Sequence, residues 1–235
     1  MFGLFYDTRY LMFMLPAFIL MMLVQFYVNS AYSKWSQAPA RSRMTGAQAA
    51  QRMAQMSGLY GVRLEAVPGR LSDHYDPRDK VLRLSPGVYQ GSSVAALAIA
   101  AHELGHAQQD QEDYPPLRLR AALVPMVNIG SYLGWILLMI GLFMRIIEVA
   151  WLGVLVFAGG AFFALATLPV ELNASARARR LLAETGLIQT EEEQRGVNHV
   201  LNAAALTYVA ALITAILQLL YYVTLVLGMG GRRRD

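Results

Sequence analysis

The chain has no cysteine among its 235 residues. That excludes disulfides and thiolate ligands, so a bound zinc would have to be held by histidine and carboxylate. Charge is scarce too: Lys, Arg, Asp and Glu make up 15% of the residues, where an ordinary soluble domain carries about 25%. Histidine is rarer still, with four in all. The net charge of +4 is modest and is not gathered into a basic patch, so no nucleic-acid partner is expected. Neither an internal repeat nor a low-complexity tract appears. What fills the sequence instead is apolar: 56% hydrophobic residues and a mean hydropathy of +0.37. That balance excludes an ordinary soluble domain.

The apolar residues fall into four runs: Tyr10 to Val28, Ile129 to Phe143 with Leu123 to Val127 extending it, Val149 to Leu168, and Ala203 to Leu227. Each is near the roughly 20 residues needed to cross a bilayer core, and a chain this short cannot bury four such helices in water. The first run lacks a leading basic cluster and a small-x-small cleavage site, so it reads as an anchor and not a signal peptide. The expected organisation is an anchor (1–30), a membrane-external catalytic segment (31–122), a transmembrane hairpin (123–168), a helical segment (169–202), and a last transmembrane helix with a basic tail (203–235). Lys34, Arg41, Arg43, Arg52, Arg118, Arg120, Arg177, Arg179 and Arg180 flank the catalytic segments, whereas Arg145 stands alone in the hairpin turn. By the positive-inside rule the catalytic side is cytoplasmic. Arg232, Arg233 and Arg234 oppose that orientation and are outvoted.

Within the membrane-external segment, Thr45 and Gln48 form a capping-box pattern that opens a helix to about Met56, stopped at Gly58. Gly61 to Ala66 and Lys80 to Leu84 read as two strands, joined through a polar turn from Leu71 to Arg78. Ser93 to Gln109 is free of proline and rich in Ala, Leu and Ile, and reads as helix. It carries His102-Glu103-Leu104-Gly105-His106. Histidines four apart share one helical face and can reach one Zn²⁺, while Glu103 projects about 100° away and can serve as general base toward a water. The implied chemistry is peptide-bond hydrolysis. The bland alternative, a buried helix with two incidental histidines, sits poorly with a chain that has so few. Gly105 costs about 1 kcal/mol against alanine inside a helix, which the close approach of another backbone would explain.

A catalytic zinc needs a third protein ligand. Candidates after His106 are Glu112, Asp113, Glu148, Glu171, Glu184, Glu191, Glu192, Glu193 and His199. Glu112 and Asp113 are too close in sequence to fold back easily, and Glu148 falls on the far side of the membrane. Glu171, following Pro169 at the exit of the third run, opens a helix and could face the active-site helix, or could simply be an interfacial residue favoured by the helix dipole. In the polar turn, His74 or Tyr75 could donate to the oxyanion that develops on the scissile carbonyl, ahead of Asp73 and Asp76. The alternative is a turn shaped by Asp and Pro. His199 and Asn202 are placed just before the fourth helix, after a capping box at Thr190 to Glu193, His199 as an interfacial residue and not a ligand.

These strings together resemble the YugP-type neutral zinc metallopeptidases of bacterial membranes. The resemblance rests on Leu71-Ser72-Asp73-His74-Tyr75-Asp76-Pro77, Ala101-His102-Glu103-Leu104-Gly105-His106-Ala107, Leu123-Val124-Pro125, Leu168-Pro169-Val170-Glu171 and Leu201-Asn202-Ala203-Ala204-Ala205-Leu206-Thr207-Tyr208-Val209-Ala210. It implies a membrane-anchored, multi-pass zinc endopeptidase of the bacterial plasma membrane, acting on polypeptides, membrane proteins among them. The layout is similar to the HtpX-type membrane gluzincins, where a glutamate opening a Glu-x-x-x-acid run is the third ligand; that implies Glu171 beside His102 and His106. The sequence departs from these patterns at Ser175, in place of the closing acid, and at Asn173, where an Asp is usual. The fold expected is an α-helical membrane protein with about four transmembrane helices and a small α+β zincin-like catalytic segment. A competing reading from another class is a zinc-stabilised scaffold or chaperone-like protein without turnover. Glu103 argues against it, since a structural zinc site has no use for a base.

Overall fold

A computed structural model describes residues 8–231; the arginines at 232–234 lie outside the described residues. In chain order the elements are α1 (Thr8–Ser36), α2 (Gly46–Met56), β1 (Arg63–Ala66), β2 (His74–Asp76), β3 (Val81–Leu84), α3 (Pro86–Tyr89), α4 (Val94–Gln111), α5 (Pro115–Met144), α6 (Ile147–Glu184) and α7 (Glu191–Gly231). They divide into two compact units, one of residues 25–117 and 169–206, the other of 8–24, 118–168 and 207–231 among those described.

The first unit is built on α4. Ser93 caps its start, its hydroxyl accepting from the Ala96 N–H at 3.2 Å. The capping box of α2 is closed from both sides: the Gln48 N–H donates to Thr45 Oγ1 and the Thr45 N–H to Gln48 Oε1. α4 is buried on nearly every face, and the alanines that make it so (Ala95, Ala96, Ala98, Ala100, Ala101) let neighbours approach closely. Met53 of α2, Leu82 and Leu84 of β3, Leu97 and Leu104 of α4, and Leu181 and Leu182 of α6 form the core with it. Full burial of each large side chain stabilises by about 1.5–3 kcal/mol.

The sheet differs from the sequence reading. Two strands are expected, with a turn between them; the structure has three among the described residues, in the order β1-β3-β2. β1 runs parallel to β3, and β2, formed inside the presumed turn, runs antiparallel with Tyr75 opposite Leu82. An Asp-His-Tyr-Asp string carries no apolar alternation, so it gives no strand signal. Pairing to the buried β3 makes it a strand, and Pro77 ends it.

In the second unit, α5 and α6 pack as a hairpin through glycines. A Cβ on Gly153 would lie 2.7 Å from the Leu138 Cα, so the helix backbones touch as small residues permit. Four helices among the described residues (α1, α5, α6 and α7) are long and apolar enough to cross a membrane. Their apolar windows are at most 22% buried within the molecule. Phe18, Ile129, Leu155 and Phe143 are among the large side chains left uncovered.

A second correction concerns α6 and α7. The third run and the helical segment after it are expected as separate helices meeting near Pro169, yet α6 passes through Pro169 unbroken. Proline forfeits one backbone bond inside a helix, and here the helix continues well beyond it on both sides. Likewise His199 and Asn202 lie within α7, not before it. That helix starts at the Thr190 cap, where the Glu193 N–H donates to Thr190 Oγ1 and the Thr190 N–H to Glu193 Oε2.

Candidate metal centre

Helical geometry sets His102 and His106 one turn apart on α4, with ring centroids 4.9 Å apart. A third group reaches them because α6 comes in at Gly105. A Cβ there would stand 2.5 Å from the Ala174 carbonyl oxygen, a separation no side chain tolerates, so glycine is what allows the two backbones to touch. That contact delivers Glu171, three residues before Ala174 and 2% exposed. Its Oε2 lies 3.3 Å from His102 Nε2 and 3.4 Å from His106 Nε2. One ligand atom from each of the three residues falls within 4.8 Å of the others.

The electrostatics suit a cation. Burial pushes the Glu171 carboxyl up, but the two imidazoles beside it hold it well below the usual carboxylate range. Burial pulls His106 down, yet Glu171 and Glu103 hold it above its ordinary value. A buried carboxylate requires compensating positive charge. Two imidazole nitrogens and one carboxylate oxygen this close together are a donor set that fits zinc.

The ring nitrogens facing away from Glu171 are engaged as well. His106 Nδ1 is 3.0 Å from Gln109 Oε1, and His102 Nδ1 is 3.3 Å from Ser175 Oγ. Gln109 donates to the Val170 carbonyl at 2.8 Å and to Asn173 Oδ1 at 2.9 Å. Asn173 Oδ1 also accepts from Arg177 Nε, and Arg177 grips both oxygens of Glu112 at 2.7 Å. The positions that depart from the related patterns, Asn173 and Ser175, are thus both occupied by groups that meet the histidines or their partners.

Residues 10–227 match the model of a family described as putative neutral zinc metallopeptidases. The chain belongs to this family. As a member of the neutral zinc metallopeptidase family, it is 45% identical over 203 residues to a protein of Bacillus subtilis (strain 168) named "Putative membrane protease YugP". The match covers 86% of this chain and 90% of that one. No solved structure matches it.

In this metallopeptidase-family chain, Glu103 sits on a different face of α4 from the histidines, and its Oε2 accepts the Tyr75 main-chain N–H at 3.0 Å. Tyr75 therefore meets Glu103 through its backbone. Its hydroxyl donates to Asp110 Oδ2 at 2.9 Å, and burial together with that bond raises the phenol above its ordinary value. His74 is exposed, with Nδ1 2.8 Å from the Ser72 carbonyl oxygen. Asp73 anchors the segment by accepting the Ser85 N–H and hydroxyl, and burial lifts its carboxyl above the usual range despite both bonds. His199 is held far from this chemistry in sequence and in contacts: its Nδ1 accepts the Trp35 indole N–H at 2.9 Å. Sequence reasoning assigned nothing to Gln109 or Asp110. Their spacing from His106 and Glu103, three and seven residues on one helix, was the available signal.

Proposed function

We propose that this chain is a membrane-anchored zinc endopeptidase that hydrolyses polypeptides, membrane proteins among them, with its site on the cytoplasmic side of the bacterial plasma membrane. The reading is carried by one observation: His102, His106 and Glu171 present their ligand atoms to one another, and Glu103 is held ready on the helix that carries the two histidines. His102 Nε2, His106 Nε2 and Glu171 would hold the metal. When bound, zinc supplies Lewis acidity toward the scissile carbonyl and lowers the pKa of a water to about 7. Glu103 does the proton work. Its carboxylate takes a proton from the attacking water and then gives it to the leaving amine nitrogen as the C–N bond breaks. The Tyr75 N–H holds that carboxylate in place. The basic residues flanking the catalytic segments support the cytoplasmic side. The YugP protein's name and the four long apolar helices support the membrane anchor.

The deciding experiment compares zinc content with casein cleavage in detergent-purified wild type, Glu103→Gln and Glu171→Ala. The peptidase reading expects Glu103→Gln to keep about one zinc per chain and lose cleavage, and Glu171→Ala to lose the zinc. A wild type that holds zinc without cleaving casein or membrane-protein substrates, and whose Glu171→Ala variant still holds it, would overturn the reading in favour of a scaffold.

A further inference from the structure

Gln109 is fully buried, and its amide can stand in one orientation. The Val170 carbonyl accepts and never donates, so the NH₂ must face it. That leaves Oε1, an acceptor, 3.0 Å from His106 Nδ1. Two acceptors do not share a contact, so Nδ1 carries the proton. With the ring neutral, that leaves the lone pair on Nε2, 3.4 Å from Glu171 Oε2; two acceptors face each other there only with a cation between them, which is where a metal would stand. The amide is itself held: Asn173 Oδ1 receives both Gln109 Nε2 and Arg177 Nε, and Arg177 is fixed on Glu112 by two bonds of 2.7 Å. His102 has no equivalent, because Ser175 offers a hydroxyl that can donate or accept.

We propose that Gln109 is a positioning residue that locks His106 in the Nδ1–H form and so turns its Nε2 lone pair to the metal, with Asn173 and Arg177 fixing the amide that does it. This rests on the reading of His102, His106 and Glu171 as ligands. The lock is asymmetric: one histidine has a set tautomer, the other adapts.

The test needs no turnover. The full chain in detergent, carrying Glu171→Ala so that no carboxylate claims a proton on Nε2 once metal is stripped, and labelled with ¹⁵N-histidine, has four histidines to resolve; His106→Gln assigns the signal. Ring-nitrogen shifts at alkaline pH, where the ring is neutral, report the tautomer, and competition with a chelator in chains that keep Glu171 reports zinc affinity. With Gln109 in place the ring is expected to show Nδ1–H. Gln109→Met, of similar length but without hydrogen bonds, is expected to show both tautomers and to bind zinc about 10–100-fold more weakly. Asn173→Asp, which still accepts from the amide, is expected within about threefold of wild type. If Gln109→Met does not fold, Gln109→Leu replaces it, since it too leaves His106 Nδ1 without a hydrogen-bonding partner at that position. Persistence of pure Nδ1–H in the variant that lacks the Gln109 amide, with zinc affinity within twofold of wild type, overturns the proposal. Were wild-type protein to bind no zinc, the ligand reading would fail, and the tautomer comparison would still decide the role of Gln109.

Discussion

Tyr75 ties β2 to α4 at two points seven residues apart, by its N–H to Glu103 and by its hydroxyl to Asp110. The two bonds predict different costs. Tyr75→Phe removes only the second, which is worth about 1.5–3 kcal/mol of stability for a bond to a carboxylate. Cleavage is expected to fall tenfold or less with zinc content unchanged. A kcat loss of 100- to 1000-fold, the size seen when an oxyanion donor is removed, would instead assign the phenol the oxyanion-donating role that the sequence suggests. Asp76 permits a second prediction. Hydrogen bonds from Arg83 hold its carboxyl below its ordinary 3.8. A group lowered on folding stabilises above its unfolded pKa and loses that contribution as pH falls through the folded one. The stability gap between wild type and Arg83→Met, measured by urea melts, is therefore expected to be widest near neutral pH and to close on acidification below 3.8.

At the scale of elements, the α4–α6 contact controls whether the three proposed ligands meet. Gly105→Ala would gain about 1 kcal/mol of helix propensity, but the added methyl collides with the Ala174 carbonyl. Overpacking of this kind costs about 1–3 kcal/mol, and here the relief is to part α6 from α4. Zinc affinity is expected to drop alongside thermal stability; a variant that matches wild type in both would show that the helices can yield there without moving Glu171. The legibility of the site follows the same division. His102, Glu103 and His106 lie on one continuous helix, so spacing alone reveals them. Glu171 lies sixty-five residues after His106 on another element, and its approach depends on a glycine whose reason is tertiary. Gln109 was hidden because an amide has no signature of its own until Val170 and Asn173 are placed around it. β2 was hidden because polar residues make a strand there only through pairing with β3. The unbroken path of α6 through Pro169 was hidden because local rules weigh one lost bond and not the length of helix on either side.

For the whole molecule, the four apolar runs were plain in the sequence because hydropathy needs no tertiary information, and helices α1, α5, α6 and α7 contain them. The proposed orientation is testable on a chain with no native cysteine. Gln51, exposed on α2, and Arg145, in the turn between α5 and α6, are the sites for single cysteines. A membrane-impermeant maleimide applied to intact bacterial spheroplasts is expected to label Arg145→Cys at once and Gln51→Cys after lysis. The reverse pattern would put the catalytic segment outside. A final consequence follows from β2 as the last strand of its sheet. An open strand end is an invitation to intermolecular pairing and aggregation, yet this one is three residues long, carries Asp76, is closed by Pro77, and has the Tyr75 N–H already given to Glu103. An incoming strand, whether a substrate or the edge of another copy, must compete with that carboxylate for its donor, so the bond that steadies the proposed base also keeps the sheet from growing.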